Sequence, residues 1–432
     1  MNLATKIVIA LILGVGIGLI VNLYGGEPNS WINTYLVNGV FHAGGQLFVN
    51  VLKMLVVPLV LFSLIPGIVG IGDIRLLGKI GTKSFMLYIA TTAIAITTAI
   101  VFAVAFGIGQ EMTIPFESDF AGKEAASSFT QILIGVIPSN IIDAMAQDRM
   151  LSIIFFSIFF GVALLSIVKD APDLVGIIEQ INKVIMRMVE IVMWFAPYAV
   201  FCLIAKAISQ LGIELLAQLA GYFIVVVAAL LFHAFVNQML ILKVLTGLNI
   251  GIFLQKIRNA QLFAFSTSSS GATIPVTLRT VQQQLGVDRA VSSFSVPFGA
   301  NINMDGTSIM QGVATVFVAN LYGVELGLTG YVTVVLTAVL ASIGTAAVPA
   351  VGLVMLTLVF NQVGLPVEAI GIIIGVDRLL DMTRTAVNVT GDAMVTVVVA
   401  KSEGFVDLDT YNDPSAGEAI DSISVSEIEK TN

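Results

Sequence analysis

Cysteine is almost missing from this 432-residue chain. Cys202 stands alone, which excludes an intrachain disulfide and a thiol-rich metal cluster. Histidine is nearly as scarce, His42 and His233 being its only instances, and this counts against a metal site built mainly on imidazole. Charge is in short supply too: Asp, Glu, Lys and Arg make up 11% of the residues, against about a quarter in soluble domains. What fills the gap is apolar, 57% of the chain, with a mean hydropathy of +0.98. An ordinary cytosolic globule is excluded. At about 20 residues per spanning helix, the apolar blocks supply roughly eight spans, so the expected fold is an all-α polytopic membrane protein.

The formal charge of -8 is concentrated at one end. From Lys401 onward Glu403, Asp407, Asp409, Asp413, Glu418, Asp421, Glu427 and Glu429 face only Lys401 and Lys430. This stretch, 401–432, reads as an acidic, solvated and disordered tail. The remainder is close to neutral, and no basic patch for nucleic acid survives.

Apolar blocks cover residues 7–22, 47–69, 85–107, 151–168, 190–210 and 218–246. The first, preceded by Lys6, lacks a convincing cleavage site and reads as a retained helix rather than a signal peptide. Arg75, Lys79 and Lys83 place the loop between the second and third blocks in the cytoplasm. Residues 109–150, with Glu111, Glu117, Asp119, Glu124, Asp143 and Asp148, face outward. Both termini are then cytoplasmic. Lys243, Lys256, Arg258, Arg279, Arg289 and Lys401 also fall inside, provided that two later segments are re-entrant.

Those two segments are too broken to span. Between Lys256 and Arg279 a Ser/Gly/Pro interruption leaves arms of about ten to fifteen residues, roughly 15–22 Å as helix, too short for a core of about 30 Å. The second is ASIGTAAVPAVG, residues 341–352. A hairpin that enters and leaves on one side is allowed where its tip is buried in protein or lines a cavity. Each is followed by a polar or interrupted helix, at Asn303-Met304-Asp305-Gly306-Thr307 and from Asp377 onward. This is the pattern of inverted repeats around a midplane site; the competing reading is two ordinary kinked helices.

From Val367 to Ala400 the apolar run carries Asp377, Arg378, Asp381, Arg384, Thr385, Asn388 and Asp392. At about 100° per residue all seven share an arc of about 120°. Charges within a bilayer are costly and face a partner or a cavity. One reading is an internal salt-bridge network that glues helices together. The sharper one divides the stripe by chemistry. The planar fork of Arg384 matches a carboxylate, and Asp381, one turn away, accepts from an ammonium; together they suit a zwitterion with an extra acid group. Asn303, Asp305, Asn388 and Asp392, with carbonyls freed where the helix breaks at Gly306, offer hard oxygens to a small cation. Sodium or a proton fits this donor set and a transition metal does not.

These residues resemble the dicarboxylate/amino acid:cation symporter family, which includes archaeal aspartate transporters and mammalian excitatory amino acid transporters. The resemblance rests on Ser269-Ser270-Gly271 with Pro275 and Arg279, NMDGT at 303–307, ASIGTAAVP at 341–349 and DMTRTAVNVTGD at 381–392. It is dense over 262–402 and weaker but collinear before that. It implies a glutamate-transporter-like fold of eight transmembrane helices and two re-entrant hairpins. It also implies a homotrimer whose substrate-carrying domains move as elevators. Residues 1–250 would hold the first six helices and 251–400 the substrate and ion core. By resemblance, Ser269 and Ser270 at the first hairpin tip, Thr307, Asp381, Arg384, Thr385, Asn388 and the backbone around Val348 and Gly352 contact the amino acid. Sodium positions match Asn303, Met304, Asp305, Asn388, Asp392, the backbone around Gly299, and Ser342, Ile343 and Thr345. A third matches Tyr88, Thr91 and Thr92, which on their own read as helix-packing polar residues. Arg384 stands where members for neutral substrates carry an uncharged residue. Ala347 and Ala350 replace residues usual in the second tip.

The expected function is therefore inward symport of sodium with L-aspartate or L-glutamate, and no enzymatic activity. The alternative within transport is a proton-coupled C4-dicarboxylate symporter. An intramembrane aspartyl protease would use two of Asp305, Asp377 and Asp381 as carboxylates sharing a proton, yet Arg378 and Arg384 crowd these and no Gly-x-Gly-Asp motif occurs. A channel is the remaining option, since re-entrant segments also build filters. His42 and His233 read as interfacial or packing residues. Short loops and the lack of a usable glycosylation site suit a prokaryotic plasma membrane.

Overall fold

Helices account for the chain in a computed structural model that describes residues 3–25, 30–69, 74–110, 137–147, 149–212, 214–343 and 351–416. Among these residues no strand forms, and one antiparallel bridge pairs Val287 with Val406. A helix closes its own backbone hydrogen bonds, which is what an apolar chain deprived of water requires.

The first half comprises α1 (Leu3–Tyr24), α2 (His42–Val69, entered through a π-helical stretch Ile32–Phe41), α3 (Ile74–Ala105), α4 (Ile141–Ala146), α5 (Met150–Ser166), α6 (Pro172–Trp194) and α7 (Ala196–Leu211). Then α8 (Glu214–Phe232) runs through a π turn, His233–Asn237, into α9 (Gln238–Thr246). Among the described residues, 79–105 and 214–246 are long and apolar enough to cross a bilayer unbroken. Close approach of α1 to α7 depends on small residues: a methyl on Gly18 would lie 2.7 Å from Ile208 Cβ and 2.9 Å from the Ala205 carbonyl. Helix α6 falls where hydropathy shows no block. Its Asp173, Glu179, Lys183 and Arg187 lower the average, while Ile178 packs with Ile65 and Val69 of α2 and Leu164 of α5. It is an amphipathic helix, which an averaged hydropathy window cannot register.

In the second half α10 (Ile250–Thr267) turns back into α11 (Ser270–Arg279). Ser268 makes the turn at φ 51°, and the Ser269 hydroxyl caps α11 by accepting from Ala272 N at 3.2 Å. Next come α12 (Arg289–Ile302) and α13 (Asp305–Leu321), separated by Asn303 and Met304, whose ψ angles of 88° and 46° leave the helical region. Helices α14 (Gly327–Ile343) and α15 (Val351–Val363) follow. The expected second tip, with Thr345, Ala347, Val348 and Ala350, lies outside the described residues. Last are α16 (Ile370–Ser402) and the short α17 (Leu408–Asn412).

Helix α16 is the hub, packing against α3, α8, α10, α12 and α13. Every residue from Val387 to Ala400 is buried, so its polar stripe meets protein and not lipid. Beyond it the structure departs from the expectation of a solvated tail from Lys401. Helix α16 continues to Ser402, and residues 405–412 strap the base of the first hairpin. Asp288 N donates to Phe405 O at 3.0 Å and Asp407 N to Gly286 O at 2.8 Å. Lys256 Nζ donates to the carbonyls of Gln284, Thr410 and Tyr411 at 2.7, 2.8 and 2.8 Å. Tyr411 is fully buried. Burial of one tyrosine and one ammonium outweighs the charge of so short a strap. Residues 417–432 lie outside the described residues.

Candidate functional site

Arg384, in the middle of α16, is the largest fully buried side chain among the described residues. Its Nη1 lies 2.9 Å from Asp377 Oδ1, and its Nη2 donates to Asp381 Oδ1 at 2.8 Å. Asp377 is two turns back and Asp381 one, so the helix itself stacks the three groups. Arg378 Nη1 reaches the other oxygen of Asp381 at 3.3 Å. The charges alternate and sum to zero, which is how a buried set is tolerated. The internal network read as glue is thus present. The first turn of α15 packs against it: a methyl on Gly352 would stand 3.5 Å from Arg384 Nη1 and 3.0 Å from Thr307 Cγ2. Arg384 Nε has no acceptor among the described residues. A guanidinium edge, the Thr307 methyl and the first turn of α15 therefore converge.

Just inward of this group, the break between α12 and α13 exposes carbonyls at one helix end and amides at the other. Asn388 Oδ1 accepts from Gly306 N at 2.7 Å, and Asn303 Nδ2 donates to Asn388 O at 3.2 Å and to Asp392 Oδ1 at 2.9 Å. Helix α3 supplies Thr92 Oγ1, which donates to Asp305 Oδ1 at 2.9 Å, and Thr91 Oγ1, 3.4 Å from Asn303 Oδ1. Tyr88 donates to the Ser295 carbonyl at 3.0 Å. Glycines make room: a methyl on Gly299 would lie 2.5 Å from Tyr88 Oη and 2.7 Å from Asp392 Oδ1, and one on Gly306 2.6 Å from the Arg384 carbonyl. The result is a dense group of buried oxygens carrying two carboxylates.

A third contribution was not expected. His233 Nε2 lies 3.0 Å from Asp305 Oδ2, and Gln238 Nε2 donates to the same oxygen at 3.3 Å. Asn237 Nδ2 faces His233 Nδ1 at 3.2 Å, so Nδ1 accepts and Nε2–H points at the carboxylate. In an α-helix residues five apart diverge; the π turn over His233–Asn237 aligns them. His233 is fully buried, not interfacial. His42 is paired with Lys206, Nδ1 to Nζ 2.9 Å.

The expected residues divide as follows. Thr307, Gly352, Asp381 and Arg384 come together, with the Thr385 hydroxyl turned to Asp381 O at 2.7 Å. Tyr88, Thr91, Thr92, Gly299, Asn303, Asp305, Asn388 and Asp392 form the oxygen group, with Met304 Sδ 3.4 Å from Asn388 Nδ2. Ser270 is buried and Ser269 serves as the cap of α11. The Ser342 hydroxyl turns to Val339 O in its own helix at 2.7 Å, one residue before Ile343. Thr345 and Val348 are outside the described residues.

Residues 3–402 match the profile of the Sodium:dicarboxylate symporter family. A proton/glutamate-aspartate symporter of Escherichia coli is 35% identical over 413 residues, covering 93% of each chain. A proton/sodium-glutamate symport protein of Geobacillus stearothermophilus is 33% identical over 411 residues, 93% of this chain and 95% of that one. An excitatory amino acid transporter of Caenorhabditis elegans is 35% identical over 398 residues, 81% and 79% respectively. With a profile match along almost its whole length and relatives of similar extent, the chain belongs to the sodium:dicarboxylate symporter family, and is a membrane transporter and not an enzyme.

Proposed function

We propose that this protein couples inward sodium flux to uptake of L-aspartate or L-glutamate. The observation that carries the reading is the buried Arg384 guanidinium, clasped by Asp377 and Asp381 yet in reach of Thr307 and the first turn of α15. An incoming side-chain carboxylate takes the place of an internal one on the fork, and the released Asp381 receives the substrate ammonium. Thr307, Thr385 and Asn388, with Ser269, Ser270 and Val348 from the hairpin tips, complete the amino acid site. Cations occupy the oxygen group: Gly299, Asn303, Asn388 and Asp392 at one position, Tyr88, Thr91, Thr92, Asn303 and Asp305 at another. Met304, Ser342, Ile343 and Thr345 serve a further one that forms as the second hairpin closes. Neutralising Asp305 and Asp392 first makes closure over an anionic substrate affordable, and this is the origin of coupling.

The architecture that suits this is eight spans with two re-entrant hairpins, α10–α11 and α14–α15, arranged as inverted repeats. Residues 1–250 would hold the first six spans and 251–400 the moving core, in a homotrimer working as an elevator in a prokaryotic plasma membrane with cytoplasmic termini. The relatives are named for proton as well as sodium coupling, so the ion is decided by experiment. Labelled L-aspartate uptake into proteoliposomes, with sodium and proton gradients imposed separately, is expected to follow sodium and to resist competition by succinate. Uptake driven by protons alone and blocked by succinate would establish the dicarboxylate alternative.

A further inference from the structure

Away from the oxygen group, the ends of α9 and α16 and the first turn of α10 form an open groove of about 570 Å³ lined by Lys243, Thr246, Asn249, Lys401, Leu408 and Asn412. Its walls are tied in place. Lys243 Nζ donates to Gly247 O and Leu248 O at 3.0 and 3.4 Å, and Tyr411 Oη to Asn249 O at 3.1 Å. Asn249 in turn caps α10 through Gly251 N at 2.8 Å. Among the described residues no carboxylate lines the space. On the strap, Asp407 accepts from Thr410 Oγ1 at 2.6 Å and Asp413 from Ser415 Oγ at 2.7 Å, while Asp409 is exposed and outside the lining. An ammonium has three donors, so Lys243 keeps one, and Lys401 has no carboxylate within ion-pair distance among the described residues.

The rim has the opposite character. Leu248, Ile250 and the 39% exposed Leu408 line the same space, so apolar side chains stand beside the two ammonium groups, and Val244 and Leu245 follow Lys243 on α9 with exposed side chains. A free phosphate would answer the lysines and leave this rim unused; a phospholipid answers both. The basic residues near the ends of α9, α10 and α16 put this face toward the cytoplasmic leaflet, where anionic lipids attract lysines. We propose that the groove binds the headgroup of an anionic phospholipid, with its acyl chains along α9 and Leu408. Bound there, the lipid joins α9, the first turn of α10, the end of α16 and the strap.

Each lysine facing an anionic lipid contributes about fivefold to binding, and two about twenty-fivefold. The test uses the full-length protein in detergent, with native mass spectrometry and thermal unfolding during titration with phosphatidylglycerol, phosphatidylcholine or inorganic phosphate. Phosphatidylglycerol is expected to bind and raise the unfolding temperature, with phosphatidylcholine and phosphate doing neither. Its affinity should fall about fivefold in Lys401→Gln and about twenty-fivefold in Lys243→Gln/Lys401→Gln, but not in Lys6→Gln on α1. Since Lys243 also holds two carbonyls, Lys401→Gln alone remains decisive if the double variant misfolds. Unchanged affinity in Lys401→Gln, equal binding of phosphatidylcholine, or a full response to inorganic phosphate would each overturn the proposal.

Discussion

Replacing Gly299 by alanine adds one methyl group and no charge, at the place where the proposed cation position is tightest. That carbon would lie 2.5 Å from Tyr88 Oη, 2.7 Å from Asp392 Oδ1 and 2.9 Å from Tyr88 Cζ, all under the 3.0 Å that real contacts respect. Tyr88 is fully buried and Asp392 is 1% exposed, so neither oxygen has solvent to retreat into. Overpacking of this kind costs about 1–3 kcal/mol, offset by about 1 kcal/mol of helix propensity gained over glycine. The net loss of stability is therefore about 1 kcal/mol. The functional loss is larger, because displaced ligand groups weaken a cation site by about 10- to 100-fold.

Gly312→Ala, on α13, separates the two effects. Its methyl would crowd Ile96 Cγ1 at 3.1 Å and Ala99 Cβ at 3.2 Å, apolar atoms of the same partner helix α3. Sodium titration of aspartate uptake, beside thermal unfolding, gives the readout. Gly299→Ala is expected to raise the half-saturating sodium concentration about tenfold, and Gly312→Ala to lower stability without moving it. If Gly299→Ala loses stability while its sodium dependence stays at wild type, the oxygen group is packing and not a cation site.

Arg384→Thr is expected to abolish aspartate uptake and admit a neutral amino acid such as serine, read by competition in proteoliposomes; undiminished aspartate uptake would remove Arg384 from the substrate site. Lys256→Met deletes three carbonyl contacts to a charged donor, together worth about 4.5 kcal/mol at the lower end, and should release the strap to limited proteolysis between residues 403 and 412. Lys83, then Lys79, hold the Glu403 carboxyl below the usual carboxylate range, so its stabilising effect is present above the unfolded-state pKa and fades as pH falls through the lower folded-state value. The difference in unfolding temperature between wild type and Glu403→Gln should accordingly start to narrow as pH falls through about 4 and close only at still lower pH.

The polar stripe was legible because α16 is regular: seven polar residues at helical spacing in an apolar run leave one face to occupy. The broken helix was legible too, since Asn303, Asp305 and Gly306 interrupt an apolar block in a way that a simple span does not. His233 was not. A lone histidine among phenylalanine, leucine and alanine reads as packing, and its partner Gln238 lies five residues on, a spacing that matches no α-helical face. Only the π turn unites them. Helix α6 escaped for a different reason, its charges lying on one side and vanishing into the average. The strap over 405–412 was hidden by the net charge of the whole tail, when Tyr411 and Val406 were the residues that mattered.

Asn388 is where the two halves of the site join. Its side-chain oxygen holds Gly306 N, its carbonyl receives Asn303 Nδ2, and it lies one turn after Arg384 and one before Asp392. Gly306 rests against the Arg384 backbone with no room for a methyl. In the proposed mechanism a cation drawing on the Asn388 carbonyl competes with Asn303 for it. Whatever shift follows is passed through Gly306 to the segment that carries the guanidinium, over two hydrogen bonds and one backbone contact. Coupling then needs no long-range relay. Asn388→Ala should accordingly lower sodium and aspartate affinity together, because linkage between two sites is reciprocal. A variant that lost only one of them would place the connection elsewhere.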